Sequence, residues 1–354
     1  MKIELGCHDI EKIKKFDAVR PFLVKFQLTN ACNARCDQCN LYKTEPIVLP
    51  EDIVINTMEE ARLLECEQID LTGGEPTLHP GFLRVFEKAR ALGLEVKVNT
   101  NGYNVDETLA KEMVRMGLKE LAISIDYHSP EIHNKHRGLT DGWQRAISAI
   151  QYVDRYRQVF SKDTKITLYS IINNQNYRDA SKILDLKRIA NYDEINFIPI
   201  KNNENKLLFL DSEQLKDFYD NVRPVLLKKY LKFGFGGIYR TVFDPFEILT
   251  NNNSSTLTGD YTKDVYGRIS CHVPSFYSYI ISDGSVVPCC VAPHHLSPQY
   301  IMGNLHNQGF KTIWESNTFD SFRKSLLRPS YNICSACSGH HTAFNLDIDK
   351  RING

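Results

Sequence analysis

Between residues 21 and 200 the chain alternates short runs, apolar at every second position, with longer runs whose apolar residues recur at helical spacing. The short runs are PFLVKFQLT (21–29), QIDLTGG (68–74), EVKVNTN (95–101), ELAISID (120–126), KITLYSII (165–172) and EINFIPI (194–200). Helices are expected between them at 51–65, 81–92, 106–116, 141–158 and 178–189. Six strand-then-helix units imply a parallel sheet with helical crossovers, either open and doubly wound or a barrel.

The two faces of the strands narrow that choice. Phe22, Val24, Phe26 and Leu28 share one face, and Leu23, Lys25 and Gln27 the other. Likewise Ile69 and Leu71 stand against Asp70 and Thr72, Val96 and Val98 against Lys97 and Asn99, and Ile123 and Ile125 against Ser124 and Asp126. A sheet covered by helices on both faces reads as nearly continuous apolar runs. A closed eight-stranded barrel fills its interior with branched apolar side chains. The pattern therefore predicts an α/β fold, a partial (β/α)6 barrel with helices outside and a polar lumen. Lys25, Gln27, Asp70, Lys97 and Asn196 would line that lumen and suit a hydroxyl- or amide-rich substrate.

Further along, a helix is expected at 211–231, opened by Asp211-Ser212-Glu213. The polar stretch NNNSSTLTG (251–259) reads as a loop or linker, and SFYSYIISDGSVVPCC (275–290) as a hairpin turning at Asp283-Gly284. A boundary near 240–260 divides the chain into an N-terminal extension (1–20), a barrel (21–240) and a small C-terminal domain (260–354), with no internal repeat.

Composition removes several function classes. The chain has 354 residues, enough for one large and one smaller core. Lys plus Arg and Asp plus Glu both number 43, so no general basic character points to nucleic acid. No run approaches the ~20 apolar residues of a membrane span, and MKIELGCHDIEKIKKF lacks the apolar core of a secretory signal. A cytoplasmic location is expected, with no nucleic-acid or membrane partner. There thiols stay reduced, so ten cysteines indicate metal or redox chemistry rather than disulfides.

Cys32, Cys36 and Cys39 crowd one loop after the first strand. Thiolates so spaced can converge on zinc or on an iron–sulfur cluster. A structural zinc site would want a fourth ligand, and neither Cys nor His occurs between residues 40 and 65. With three ligands, one iron of a cubane stays open. The run C-N-A-R-C-D-Q-C resembles the C-x3-C-x2-C signature of radical S-adenosylmethionine (SAM) enzymes. The resemblance implies a [4Fe-4S] cluster on Cys32, Cys36 and Cys39 whose open iron chelates SAM. Gln38 departs from the aromatic residue usual before the third cysteine, which bears on how the adenine packs.

Three companion elements match that family. Gly73-Gly74-Glu75-Pro76 follows the second strand, where the family's GGEP motif contacts the SAM amino group. By themselves these residues also suit a turn before a helix. Asn99-Thr100-Asn101-Gly102 and Ser124-Ile125-Asp126 end the third and fourth strands, where the family places ribose contacts, so Asn99, Ser124 and Asp126 are carried over. Turn and helix-cap roles are the alternative for each. In His133-Asn134-Lys135-His136-Arg137-Gly138, Arg137 could pair with the SAM carboxylate by two parallel hydrogen bonds. The two histidines are expected at the surface.

A second set, Cys271, Cys289, Cys334 and Cys337, suffices to close one zinc or one cubane cluster. The C-x12-G-x4-C hairpin and the tail at 301–337 resemble the Twitch domain, a shortened SPASM domain, implying one auxiliary [4Fe-4S] cluster. Cys290 lies beside Cys289 and is either a buried small residue or a thiol able to return a hydrogen atom to a substrate radical. Cys7 and Cys66 read as packing residues.

The resemblance implies an enzyme fed electrons by a donor such as flavodoxin or ferredoxin. It would cleave SAM to methionine and a 5′-deoxyadenosyl radical, which abstracts hydrogen from a C–H bond. The polar lumen favours a sugar or cyclitol substrate undergoing oxidation or epimerisation. A peptide-modifying enzyme doing cross-linking or epimerisation is the runner-up, weakened by the roughly twenty residues before the first strand, short for a peptide-recognition domain. A zinc-stapled, non-enzymatic binding module is third.

Overall fold

The computed structural model describes residues 7–200, 206–235, 262, 266, 269–295, 297–337 and 345–351. The linker at 251–259, the boundary at 240–260 and the Cys7 side chain lie outside the described residues. Strands β1 (Leu23–Gln27), β2 (Gln68–Thr72), β3 (Glu95–Thr100), β4 (Leu118–Ser124), β5 (Lys165–Ile172) and β6 (Glu194–Pro199) each pair in parallel with the next. The sheet does not stop at β1. Strands β7 (Tyr277–Ile280), β8 (Ser285–Val287) and β9 (Gly303–Asn304) extend it in the order β6-β5-β4-β3-β2-β1-β7-β8-β9. Strand β7 runs parallel to β1, with Tyr279 opposite Lys25, and β8 returns antiparallel after the Asp283-Gly284 turn. Gly284 sits at φ +82, where a Cβ would lie 2.7 Å from His306.

Helices α1 (Cys7–Lys14), α2 (Glu51–Leu63), α3 (Phe82–Ala91), α4 (Glu107–Met116), α5 (Pro130–Arg137) and α6 (Gly142–Val159) belong to the first half of the chain. Helix α5 falls in the His133–Arg137 run, which sequence alone did not mark as helical. Ser129 caps it, Pro130 occupies its first turn and Gly138 ends it in the left-handed conformation. The expected helix at 178–189 is instead a 3-10 turn, the short α7 (Ala180–Ile183) and a second 3-10 segment. There the Tyr192 hydroxyl donates to the Leu184 carbonyl. The expected helix at 211–231 breaks into α8 (Ser212–Asp217), a π turn and α9 (Arg223–Lys232). Pro224 has no N–H to continue the ladder and crowds the carbonyl four residues earlier, which accounts for the break. Helices α10 (Phe310–Trp314) and α11 (Asn317–Lys324) follow β9.

The alternation of the strands sorts into two continuous stripes. On the helix-covered face Val286, Ile280, Phe26, Leu71, Val98, Leu121 and Ile166 stand in register across seven strands. All seven are fully buried, each contributing about 1.5–3 kcal/mol of apolar burial. On the opposite face the aligned residues are Lys25, Asp70, Lys97, Glu120 and Lys165, positive and negative by turns. Lys25 pairs with Asp70 at 3.2 Å and Lys97 with Glu120 at 3.1 Å, while Lys165 pairs with Glu194. Burial pulls the Lys97 ammonium down, but Tyr169, Glu120 and Asp70 more than offset it and hold it well above the ordinary lysine value. This charge ladder lies toward the N-terminal ends of the strands and forms a polar floor under the lumen.

Candidate cofactor and cluster sites

The cysteine loop leaves β1 and is held from three sides. The first is the backbone of the Gly73–Glu75 turn. Gly74 N donates to Thr29 O at 2.8 Å and Glu75 N to Ala31 O at 2.9 Å. A Cβ on Gly74 would come within 2.3 Å of Ala31 O, so glycine is needed for the approach. The Glu75 side chain turns away into the protein. It accepts from Thr77 N and Oγ1, from Thr100 Oγ1 at 2.7 Å and from Asn101 N at 2.8 Å. Thr77, Thr100 and Asn101 thereby fix the orientation of the carboxylate that the family resemblance offers to the SAM amino group.

The second support is Asn101. Its Nδ2 donates to Asn33 Oδ1 at 2.7 Å and lies 3.9 Å from Cys32 Sγ. Asn99, the residue expected at the cofactor, donates to Asp70 Oδ1 in the lumen. The alternation of a strand puts both asparagines on the same face, and only the more C-terminal one reaches the loop.

The third support is α5. Arg35 N donates to Arg137 O at 2.8 Å and Asp37 N to His136 O at 3.1 Å. The helix is itself anchored by a buried ion pair. Arg137 Nε and Nη2 both donate to Asp126 Oδ2, at 3.0 and 2.6 Å, while Ile171 N donates to Asp126 Oδ1. Two of the guanidinium nitrogens expected at a cofactor carboxylate are thus engaged with Asp126, and Asp126 itself serves as their anchor. Burial raises the Asp126 carboxyl, but the charges of Arg137, His136 and His133 outweigh it and hold it below the ordinary value. His133 and His136 are buried, not at the surface as expected, and burial lowers His133 to about 3. Asp126 N donates to His133 Nδ1 at 3.4 Å, as a neutral imidazole allows. Ser124 is half-buried on the lumen face, level with Tyr169. Gln38 is buried; its Nε2 points at Asp126 Oδ2, 3.5 Å away.

The donor chemistry fits a cluster. Burial above all, with a smaller push from Cys39, raises Cys32 to about 12 and Cys36 to about 11. Ala34 N donates to Cys32 Sγ at 3.4 Å, and Arg137 lowers Cys36. One buried and two half-buried thiols side by side suit a cationic iron–sulfur core, which would take their protons' place. The second set behaves alike. Burial raises Cys271, Cys289 and Cys334, and each also feels a neighbouring cysteine of the set. Backbone N–H groups of Val273, Val291, Ala292 and Tyr331 lower them in turn. Among the described residues no three His, Cys, Asp or Glu side chains are grouped as they would be around a single ion. Cys66, as expected, is a packing residue, fully buried and donating to Gln68 O.

Comparison with known proteins decides between zinc and iron–sulfur. Residues 26–186 match the Radical SAM superfamily model, and residues 271–338 match the model of the SPASM iron–sulfur cluster-binding domain. The chain belongs to the radical SAM superfamily. It therefore carries SAM and a [4Fe-4S] cluster at the barrel, and iron–sulfur rather than zinc in the SPASM region. It is 27% identical over 214 residues to a probable GTP 3′,8-cyclase of Saccharolobus solfataricus, covering 59% of this chain and 67% of the relative. It is 22% identical over 334 residues to the AdoMet-dependent heme synthase of Methanosarcina barkeri, covering 90% of each. Streptococcus suis SuiB bound to its precursor peptide SuiA has a similar fold, with TM-score 0.63 at 13% identity, covering 95% of this chain and 73% of SuiB. No helix among the described residues is long and apolar enough to cross a membrane.

Several contacts of the radical SAM chain were not foreseen. Asn101, Tyr266 and Asn345 approach cysteine sulfurs. Ser282 donates from N and Oγ to Gln27 Oε1, tying the hairpin to β1. The Asn101 contact was within reach from the polar end of β3; the others join segments remote in sequence, and no local pattern marks them.

Proposed function

We propose that this enzyme takes a hydrogen atom from a C–H bond of a polar small molecule of the sugar or cyclitol class and brings about oxidation or epimerisation. The bound cluster and SAM supply a 5′-deoxyadenosyl radical once an electron arrives from a donor such as flavodoxin or ferredoxin. One observation carries the reading. Strand β7 pairs with β1 so that Tyr279 stands opposite Lys25, whose Nζ lies 5.8 Å from the ring centroid, and its hairpin partner β8 leads directly into Cys289 and Cys290. One hairpin thus joins the lumen wall to the SPASM thiols.

Oxidation of an alcohol then balances. Bound SAM would supply the acceptor for the carbon-bound hydrogen, the hydroxyl proton would leave to water or a lumen carboxylate, and the centre that Cys289 would help hold would supply the acceptor for the remaining electron. Epimerisation instead calls on the Cys290 thiol to return a hydrogen atom. A neutral substrate is supported by the charge ladder, whose lysines already face carboxylates. Gly73, Gly74 and Glu75 shape the loop around SAM, Asp126 and Arg137 hold it, and Ser124 faces the lumen beside it.

The competing reading, a peptide substrate, is supported by fold likeness to a peptide-bound protein. One experiment separates the two. Reduced, reconstituted enzyme is incubated with SAM and either a deuterated metabolite pool or a deuterated peptide pool. Deuterium is expected in 5′-deoxyadenosine from the metabolites; label arising from peptides alone overturns the proposal.

A further inference from the structure

We propose that Tyr266 and Asn345 set the electron affinity of the SPASM centre by donating hydrogen bonds to the sulfurs of Cys337 and Cys271. The inference rests on the reading that these cysteines ligate that centre. Tyr266 Oη lies 3.1 Å from Cys337 Sγ. Asn345 Nδ2 lies 3.0 Å from Tyr266 Oη and 3.5 Å from Cys271 Sγ. Both side chains are buried, with 2% and 0% of their surface exposed.

The orientation of the Asn345 amide is fixed by one backbone group. His272 N donates to Asn345 Oδ1 at 2.9 Å, so the amide oxygen is spoken for and the two Nδ2 protons face Tyr266 and Cys271. A cysteine sulfur that ligates the centre carries no proton, so the Tyr266 hydroxyl is the donor in its contact with Cys337. Two sulfurs, 66 positions apart in the chain (271 and 337), are therefore acceptors within one chain of donors, and each link polarises the next. Thr262 braces the arrangement. Its hydroxyl donates to Cys334 O at 2.6 Å and accepts from Cys337 N at 3.2 Å, clamping the turn between the two cysteines.

Such bonds strengthen as the acceptor becomes more negative. A one-electron reduction adds one negative charge to a cluster and its thiolates, so donors aimed at the sulfurs favour the reduced form and raise the potential. The backbone N–H groups near Cys271, Cys289 and Cys334 do the same, but they are common to any side chain at those positions. Tyr266 and Asn345 are specific to their identities. If the SPASM centre accepts the electron left on a substrate radical, its readiness to do so depends on these two residues.

The test is a potentiometric titration of the full-length holoenzyme followed by electron paramagnetic resonance, with and without SAM. Only the cluster on Cys32, Cys36 and Cys39 changes its spectrum when SAM is added, so the two signals are separable. Tyr266→Phe is expected to keep wild-type iron and sulfide content while lowering the SPASM midpoint. The reduced-to-oxidised ratio at a fixed poise falls by up to tenfold, about 59 mV for one electron. Asn345→Ala, which loses both contacts and the orientation of Tyr266, falls at least as far, and the double variant adds little beyond it. An unchanged midpoint in a fully loaded Tyr266→Phe protein overturns the inference, whether or not the Asn345 variant folds. Failure of the underlying ligand reading looks different: a Cys337→Ala protein would then keep all of its iron.

Discussion

Replacing Arg137 by alanine tests whether the buried ion pair with Asp126 holds the cysteine loop. In the variant the Asp126 carboxylate stays buried and, among the described residues, keeps the Ile171 N–H and the Gln38 amide, 2.8 and 3.5 Å away, with His136 Nε2 at 3.9 Å. Removing one partner of a buried, hydrogen-bonded pair costs about 3–5 kcal/mol, because a charge is left without compensation. Burial lowers the pKa of both neighbouring histidines, but Arg137 supplies part of that lowering and takes it away when removed, so the loss is measured at pH 8, where neither is charged. Urea unfolding of the cluster-free chain, read by circular dichroism at pH 8, measures the loss. Asp126→Asn and the double variant close the thermodynamic cycle, with an expected coupling of at least ~2 kcal/mol, the upper part of the range for residues in contact. The Arg137 and His136 carbonyls carry the Arg35 and Asp37 N–H groups, so iron uptake on Cys32, Cys36 and Cys39 should fall in parallel. A loss below ~1 kcal/mol, the value typical of exposed pairs, together with normal iron content, would refute the reasoning.

The same carboxylate predicts a pH dependence. Its folded pKa lies below the unfolded value of about 3.9, so its stabilisation is complete above the unfolded pKa and lost as pH falls through the folded one. Asp126→Asn should flatten that acid limb when the urea midpoint is followed from pH 6 down to pH 3. Gly74→Ala drives a methyl group into the Ala31 and Asn30 carbonyls, and overpacking of this kind costs about 1–3 kcal/mol; reconstituted protein should lack the SAM-responsive iron signal. Glu75→Gln sets an amide donor against the donors of Thr77, Thr100 and Asn101, for a loss of about 1–3 kcal/mol by thermal unfolding. Cys289→Ala should drop iron from about eight to about four per chain, whereas Cys290→Ala keeps the iron and loses any solvent deuterium delivered to an epimerised product.

What could be read in advance was whatever repeats locally. Val24 and Lys25 fall on opposite faces because one packs on helices and the other borders the lumen, and that alternation is a property of adjacent residues. The spacing of Cys32, Cys36 and Cys39 is equally local. The hydrogen-bond partners of Glu75, Asn99 and Arg137 were not legible, because each is brought in by the fold: Thr100 and Asn101, Asp70, and Asp126. The broken helix at 211–231 turned on one proline inside an otherwise regular pattern. The union of β7 with β1, and of Asn345 with Cys271, joins segments that no local periodicity connects.

That union of β7 with β1 has a consequence for biosynthesis. Strand β1 is made early, but its partner on one edge is encoded roughly 250 residues later, and at about 5–20 residues per second the ribosome needs some 13–50 s to deliver it. Throughout that interval the nascent sheet presents an unsatisfied row of backbone donors and acceptors, a template for misplaced strands. Chains stalled or cut before residue 277 should accordingly be recovered as aggregates bound to chaperones.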